Sequence, residues 1–364
     1  MVNIHEQKCP KCSGPLRFDP KKGKLICDYC DSEFDVDKTN TGTNKEAKQD
    51  IMEGFDFESL MTKASSQDSR DLPIYVCKSC GAEIIATTES FSMICPFCQN
   101  NVVLTDKISG NMRPDGIIPF KITKDVLPDY VNNYYKDMKF LPKNFFSHNT
   151  MGKVTGIYVP FWVFNGKAEG NVTYTGEKSA GSSRNGDYIT ETYDVYKLSR
   201  DVSLEFKDVP IDASEKMDDE LMDSMEPFDM SECKKFDYGY LAGYAADRFD
   251  VPAKNIAERA EKRMCNTAAS LAKRKVAGEY SSISYLGSNL KAKLDAKYIL
   301  MPIYQFNLEF DGKEYNFAVN GQTGKIIGRL PYDKGRKAIY FAVRAVGLFF
   351  AALLLFIIKY FLGR

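Results

Sequence analysis

Ten cysteines occur in this 364-residue chain, and eight of them fall into two groups that share one spacing. In each group a CxxC pair is followed, after fourteen intervening residues, by a second CxxC pair. The groups are Cys9, Cys12, Cys27 and Cys30, then Cys77, Cys80, Cys95 and Cys98. Four thiolates close a tetrahedral shell around zinc, so the spacing predicts two zinc ribbons, at 1–36 and 72–107, each holding one Zn²⁺.

Each ribbon is expected to contain a β-hairpin between its two CxxC pairs. In the first ribbon the arms are 16–18 and 25–27, joined by a glycine-containing turn at 21–24, and in the second they are 82–86 and 91–95. Because four thiolates leave no coordination position for a substrate, both sites are interpreted as structural. A thioredoxin-type redox site or an iron–sulfur cluster is the alternative chemistry, and the spacing disfavours both.

Charge is balanced over the whole chain and over each ribbon. Lys plus Arg and Asp plus Glu both number 49, so the formal net charge is zero. Residues 1–36 hold six basic and six acidic side chains, and residues 72–107 hold two and three. Neutralising phosphates requires clustered basic residues, so the sequence disfavours nucleic acid as a partner and favours a protein-binding or purely structural role for the ribbons.

The segment before the first cysteine pair has no apolar stretch after a basic start, so no secretory signal peptide is predicted. The bulk of the chain is therefore expected in the cytoplasm, where thiols stay reduced. Residues 37–71 are rich in Thr, Asn, Ser and charge and are predicted to be a linker. Their apolar section, 51–61, is expected to form a short helix that docks on a ribbon or on a partner.

Residues 338–358 are almost wholly apolar, and the predicted transmembrane helix is placed at 338–361. Such a run rises about 31 Å as a helix, which matches the hydrocarbon core of a bilayer. Arg344 lies near its start, where a long side chain can extend to the headgroups. The uninterrupted apolar core, 345–358, is shorter, so a buried or interfacial helix is the alternative.

More basic residues lie before the centre of this helix than after it. Lys334, Arg336, Lys337 and Arg344 precede the centre, and Lys359 and Arg364 follow it. Because the cytoplasmic side normally carries this excess, we predict a single-pass, tail-anchored protein of the cell membrane with its N-terminal bulk in the cytoplasm.

Residues 108–330 are predicted to form a mixed, β-rich domain, which makes the fold class α+β. Residues 159–165 (VPFWVFN) echo residues 301–307 (MPIYQFN), and each block is expected to lead through a glycine-containing turn into another strand. The echo predicts two related hairpins in one sheet. The second hairpin is placed at 303–310 and 314–319, because the intervening Asp-Gly pair is a strong turn signal.

Helices that cover this sheet are predicted at 124–138, 213–225 and 253–277. The second lies in an acidic run, 208–232, with ten acidic side chains and one lysine. We interpret this run as a solvated face that pairs with basic residues of the third helix. Those residues are Lys262, Arg263, Lys273, Arg274 and Lys275.

No enzyme motif is found, and the chain is predicted not to be an enzyme. The two histidines, His5 and His148, are not near a nucleophile motif. The GQTGK sequence at 321–325 lacks the four-residue gap and the following Ser or Thr of a phosphate-binding loop. Cys233 and Cys265 are interpreted as ordinary thiols.

The CPKC and CDYC pairs, the CPFC pair, the YVPFW block, the VPIDAS segment and FAVNGQTGKIIGRLP together span nearly the whole chain. With the C-terminal apolar helix they resemble a family of bacterial double zinc-ribbon membrane proteins, labelled transcription-factor-IIB-type zinc ribbon or primosomal-helicase-like. The resemblance implies adaptors in envelope-stress systems, with flotillin-like SPFH-domain proteins and phage-shock-like proteins as partners. It carries over only the eight cysteines as functional residues.

The leading hypothesis is a membrane-tethered scaffold that recruits cytoplasmic proteins to the inner membrane surface in an envelope-stress response. The alternative is a membrane-anchored nucleic-acid-binding or transcription-related protein. A third hypothesis, an enzyme or redox sensor that uses Cys233 or Cys265, requires an exposed thiol with a depressed pKa.

Overall fold

Two antiparallel strands, Thr155–Asn185 and Lys291–Phe310, form the centre of the fold in the computed structural model of this chain. The structure describes residues 4–6, 9–12, 14–36, 74–76, 83–85, 90–94, 101–104, 113–136, 138–142, 145, 154–186, 188–215, 219–328 and 330–362. The predicted linker 37–71, with its predicted helix, lies outside the described residues, as do the second cysteine group and His148.

The described strands and helices are as follows in chain order. The strands are β1 (Ile4–Glu6), β2 (Leu16–Asp19), β3 (Lys24–Cys27), β4 (Glu33–Phe34), β5 (Ile74–Val76), β6 (Glu83–Ile85), β7 (Ser90–Ile94), β8 (Asn101–Leu104), β9 (Gly116–Ile117), β10 (Thr155–Asn185), β11 (Tyr188–Asp212), β12 (Lys234–Lys235), β13 (Ala245–Asp247), β14 (Ser282–Ser288), β15 (Lys291–Phe310), β16 (Lys313–Asn320) and β17 (Ile326–Gly328). The α-helices are α1 (Leu127–Tyr135), α2 (Asp219–Ser224), α3 (Ala253–Val276) and α4 (Lys334–Leu362), and short 3₁₀ helices lie at Lys124–Val126, Met230–Glu232 and Tyr238–Leu241.

The main sheet joins twelve of the described strands and is buried on both faces at its centre. Residues 158–164 of β10 and 298–304 of β15 are buried without a break. Their side chains alternate between two apolar cores: Tyr158 and Trp162 belong to the larger core, and Phe161 belongs to the smaller one. A strand covered on both faces needs apolar residues at consecutive positions, which explains the apolar character of residues 158–164 and 298–304.

The sequence echo reflects a repeated unit of strand, helix and two strands. The first unit is β9–α1–β10–β11, and the second is β13–α3–β15–β16 with an additional strand, β14, between α3 and β15. Strand β9 pairs in parallel with β15, and β13 pairs in parallel with β10, so the first strand of each unit lies beside a strand of the other unit. The prediction that both blocks share one sheet is confirmed, because Val159 lies opposite Met301. The two units are interleaved and share one sheet.

The second predicted hairpin is confirmed. Strands β15 and β16 pair up to Phe310 opposite Lys313. Asp311 and Gly312 between them have φ values of 53° and 67°. Positive φ at both central residues gives a two-residue turn whose twist matches that of the flanking strands, and glycine adopts it without strain.

The first block does not lead into a turn, and that expectation is wrong. Strand β10 continues to Asn185, with a shift of register between Phe164 and Gly166. The irregularity is a bulge beside Gly166, where Lys207 and Asp208 of β11 lie opposite Asn165 of β10, and Gly166 itself stays paired with Phe206. The long β10–β11 hairpin extends beyond Glu177, which is the last residue of β10 opposite β14, and we call residues 178–197 the arm.

Helix α3 is confirmed to within one residue, whereas the other two predicted helices are too long. The prediction at 124–138 is met by a 3₁₀ helix and by α1, which ends at Tyr135. The helix predicted at 213–225 starts too early, since α2 begins at Asp219. Ala213 donates its amide to the carbonyl of Pro160, and its own carbonyl accepts from the amide of Asp250, so its backbone is committed to non-helical partners.

Strands form near both predicted arms of the second ribbon, but they do not pair with each other in the described part of the chain. Strand β6 pairs with β5, and β7 pairs with β8, so each hairpin encloses one CxxC pair. Strand β7 also pairs with β13, and β8 pairs with β1. The main sheet therefore crosses the predicted boundary between residues 107 and 108.

Candidate metal centre

The first cysteine group is carried by a small three-stranded sheet, β2–β3–β4, in agreement with the predicted hairpin. Leu16 lies opposite Cys27, and Asp19 lies opposite Lys24. Gly23 adopts φ 65° in the connecting turn, and the Asp19 carboxylate accepts the amide of Lys21 at 2.8 Å. This turn chemistry sets the register that brings the second CxxC pair back beside the first.

The four sulfur atoms of this group lie within 4.8 Å of one another. The Sγ–Sγ distance is 3.4 Å from Cys12 to Cys27, 3.4 Å from Cys12 to Cys30 and 3.6 Å from Cys9 to Cys30. A sulfur tetrahedron with zinc–sulfur bonds of about 2.3 Å has edges of about 3.8 Å, whereas a disulfide bond is about 2.0 Å long. The four cysteines are free thiols placed at the spacing of a tetrahedral metal site.

Backbone hydrogen bonds hold both cysteine turns. The amide of Cys9 donates to the carbonyl of Gly14 at 2.8 Å, and the amide of Cys27 donates to that of Ser32 at 3.0 Å. Asp31, whose amide donates to the carbonyl of Cys27, adopts φ 52°, a conformation that Asp tolerates better than most residues. The thiols are thus held in position by the backbone.

The proton affinities within the cluster are strongly unequal. Hydrogen bonds from the hydroxyl and the amide of Ser32 lower the pKa of Cys30 to about 6. The amide of Gly14 lowers the pKa of Cys12, but hydrogen bonds with the neighbouring thiols outweigh it and raise that pKa to about 12. Four sulfurs this close cannot all ionise without a cation among them, and a bound metal ion takes the place of their protons.

The cysteine module is packed onto the mixed domain. Phe18 and Leu25, from its two longer strands, belong to the same apolar core as Tyr158. The amide of Phe18 donates to the carbonyl of Ala242 at 3.0 Å, and its ring meets that of Tyr240 edge-on at 5.2 Å. The strands that carry the cysteine turns are therefore packed against the larger core, and a change in one should affect the other.

In the part of the chain that the structure describes, this is the one group of Cys, His, Asp and Glu side chains close enough to hold a metal ion. Cys77, Cys80, Cys95 and Cys98 lie outside that part, so the second Zn²⁺ site stays a prediction. Burial raises the pKa of Cys233 to about 11 and raises that of Cys265 as well. Neither thiol has the depressed pKa that a redox sensor needs.

Part of the acidic run forms ion pairs with α3. Arg263 forms a bidentate ion pair with Glu226, with two N–O distances of 2.7 Å. The sequence analysis predicted that this arginine pairs with the acidic run. Arg259 binds Asp219 and Asp223 at 2.8 Å each, which sequence reasoning missed although its spacing four residues before Arg263 places both on one helix face. In the described residues no ion pair is found for the other four basic residues of the prediction.

Helix α4 is the second candidate functional element. Within its stretch Lys334–Lys359, an 18-residue window has a mean hydropathy of 2.6, and none of that apolar window is buried inside the protein. A core helix would be covered, so α4 is not a buried helix of this chain, whereas the interfacial alternative stays open. The helix is long and apolar enough to span a membrane.

These features define a sheet-rich α+β protein with a four-cysteine centre and one exposed apolar helix. The chain belongs to the family of a Bacillus subtilis (strain 168) protein named "Uncharacterized protein YdjG". The two are 31% identical over 349 residues, which cover 96% of each chain. No protein-family model matches the chain, and no solved structure matches it.

Proposed function

We propose that this protein is a zinc-containing scaffold that α4 tethers to the cell membrane, where it recruits cytoplasmic proteins to the inner surface. The observation that carries the proposal is the complete exposure of the apolar window of α4, the longest continuous exposed apolar run among the described residues. Only a bilayer or another apolar partner removes such a surface from water. The excess of basic residues before the helix centre favours a cytoplasmic folded part.

Zinc fits the first cysteine group, because four sulfurs at tetrahedral spacing suit its preferred geometry. All four positions of the ion are then taken by protein, so the ribbon shapes and stabilises the domain rather than acting on a substrate. The second group, with the same spacing, is proposed to bind a second Zn²⁺.

The arm is a suitable recruiting surface. Tyr188 is 81% exposed, and Ile189 and Val195 are each 64% exposed. Among described residues, β11 pairs with β10 alone, so its outer edge offers free backbone donors and acceptors. An extended segment of another protein can add to such an edge, with the apolar side chains supplying specificity.

The family resemblance suggests the partners: flotillin-like SPFH-domain proteins and phage-shock-like proteins in an envelope-stress response. Tethering places the arm and its partners in a thin layer at the membrane and thereby raises their local concentration. No chemical step by the protein is needed for this role.

The test is crosslinking of the full-length protein in membranes, followed by mass spectrometry of the captured proteins. Three variants are compared with it: one without residues 338–364, one with Cys95→Ser and Cys98→Ser, and one with Ile189→Lys and Val195→Lys in the arm. Leu271→Lys on α3, where the leucine is also exposed, is the matched control for a surface charge.

Recovery of SPFH-like or phage-shock-like proteins that is lost without the helix and in the arm variant, but kept in Leu271→Lys, supports the proposal. Recovery of RNA polymerase or nucleic-acid-binding proteins that does not depend on the helix contradicts it. That second outcome favours the nucleic-acid alternative, whose binding would also fall steeply with salt.

A further inference from the structure

The start of α4 is fixed to the folded domain by several contacts. Asp333 accepts the amide of Arg336 at 3.0 Å and donates its own amide to the carbonyl of Phe140 at 2.8 Å. The Arg336 guanidinium donates to the carbonyl of Leu141 at 2.9 Å. These bonds join the helix directly to the segment 138–142, so the direction of the helix sets the orientation of the domain.

Aromatic contacts extend this junction into the apolar part of the helix. The ring of Phe140 lies 5.2 Å from that of Tyr340 and 6.4 Å from that of Phe341. Tyr340 also lies under two cations, Lys139 at 5.6 Å and Arg344 at 4.6 Å. Phe140, far away in sequence, thus reaches the same depth as the first apolar turns of α4.

That depth places the junction at a membrane boundary. If the hydrocarbon core begins near residue 338, the preceding turn of helix spans about 6 Å, which is close to the thickness of one headgroup layer. The residues packed beside that turn must then lie in the headgroup layer. This step rests on the proposed insertion of α4.

The surface around the junction has the composition of such a layer. Met138 and Tyr332 are exposed, and they line an apolar groove of about 360 Å³ with Leu141 and Leu330. Lys337 lies 5.3 Å above the ring of Tyr332. Aromatic rings beside lysines are typical of the interface with an anionic membrane, where the rings sit among headgroups and the cations bind phosphates.

We propose that this surface, formed by Met138, Lys139, Leu141, Leu330, Tyr332 and Lys337 and called the foot, is seated in the headgroup layer of an anionic membrane. The groove accepts the apolar part of the lipid interface, and the two lysines bind lipid phosphates. The domain is therefore held against the bilayer in one orientation, with contacts beyond those of α4 itself.

Depth-dependent quenching tests the proposal on the full chain in vesicles of phosphatidylcholine and phosphatidylglycerol with brominated acyl chains. Trp162, the one tryptophan of the chain, is 3% exposed and gives a constant background. Tyr332→Trp and Met138→Trp report on the foot at two positions. Phe350→Trp reports on insertion of α4, and Tyr188→Trp in the arm is the control for an exposed residue away from the foot.

We expect bromine to reduce the added emission by about twofold or more in Phe350→Trp, by a smaller but measurable fraction in both foot variants, and not in Tyr188→Trp. In vesicles of phosphatidylcholine alone, the foot variants should lose most of this quenching. Lys139→Glu combined with Lys337→Glu should do the same in the mixed vesicles, unlike the matched pair Lys291→Glu and Lys313→Glu at exposed lysines.

Quenching of Phe350→Trp without quenching at either foot position overturns the proposal and leaves the tether intact; the groove then serves a protein segment. Absence of quenching at all three positions overturns the tether together with the foot. Equal quenching of the foot variants in both vesicle types contradicts the assignment of the lysines to lipid phosphates.

Discussion

Trp162 and Tyr304 occupy matching positions in the two repeated units, and each binds the backbone of the other unit. The Trp162 ring nitrogen donates to the carbonyl of Val251 at 2.9 Å, and the Tyr304 hydroxyl donates to the carbonyl of Ile122 at 2.7 Å. Val251 and Ile122 are themselves equivalent, since each precedes the helix of its unit. These two hydrogen bonds therefore link the interleaved units, and we call them the inter-unit hydrogen bonds.

Removing one inter-unit hydrogen bond should destabilise the domain. Tyr304→Phe keeps the buried ring but leaves the carbonyl of Ile122 without this donor, and we expect the free energy of unfolding to fall by about 1–3 kcal/mol. Urea titration of the full chain, followed by the fluorescence of buried Trp162, measures the change. Tyr188→Phe, at an exposed position of the arm, should leave the midpoint unchanged. Equal midpoints for all three proteins would show that the Tyr304 hydrogen bond does not stabilise the domain.

A second matched pair, Asp212 and Asn320, differs in charge and predicts a pH dependence. Asn320 is satisfied: its amide nitrogen donates to the carbonyl of Met225 and its oxygen accepts the amide of Gln322. Asp212 is buried, and in the described residues its Oδ1 has no hydrogen-bond partner. Burial raises the pKa of Asp212 to about 7, with Asp219 and Asp223 adding to the rise and Arg259 opposing it.

A carboxyl whose pKa is higher in the folded state destabilises the fold once the unfolded chain ionises. The loss should develop from about pH 4, where the unfolded group titrates, and end near pH 7. Asp212→Asn removes this ionisable group and with it the loss of stability. The free energy of unfolding of this variant should exceed that of the parent by about 2 kcal/mol at pH 8 and by much less at pH 4. Unfolding midpoints at both values check this, and a pH-independent difference would refute it.

The metal centre should stabilise the large core as well as its own module. Cys27→Ser removes a buried ligand, so we expect loss of one zinc ion per chain and a lower melting temperature of the whole domain, because Phe18 and Leu25 share its core. Elemental analysis and the Trp162 fluorescence melt provide the two readouts. Cys265→Ser is the matched control, and an unchanged melt after metal loss would show that the module is energetically separate.

The sequence predicted features that rest on local signals. The CxxC spacing located the first cysteine cluster, the Asp311–Gly312 pair located a hairpin, and the helical stretch predicted at 253–277 matches α3. Non-local relationships were not predicted: Gly166 lies inside a strand because β11 and β15 pair with it, and Ala213 is kept out of a helix by partners far along the chain. The docking of the cysteine module depends on Phe18 and Ala242 meeting, which no local pattern reveals.

We propose that α4 holds the folded domain at the bilayer, and carbonate extraction of membranes that contain the full chain tests this anchoring. The parent should stay in the membrane pellet, as should the arm variant with Ile189→Lys and Val195→Lys. Phe350→Lys combined with Leu354→Lys places two charges in the apolar helix, at a cost of about 5 kcal/mol or more, and should move the protein to the supernatant. Release of the parent by carbonate, or equal retention of both charged variants, would show that α4 does not anchor the chain in the membrane.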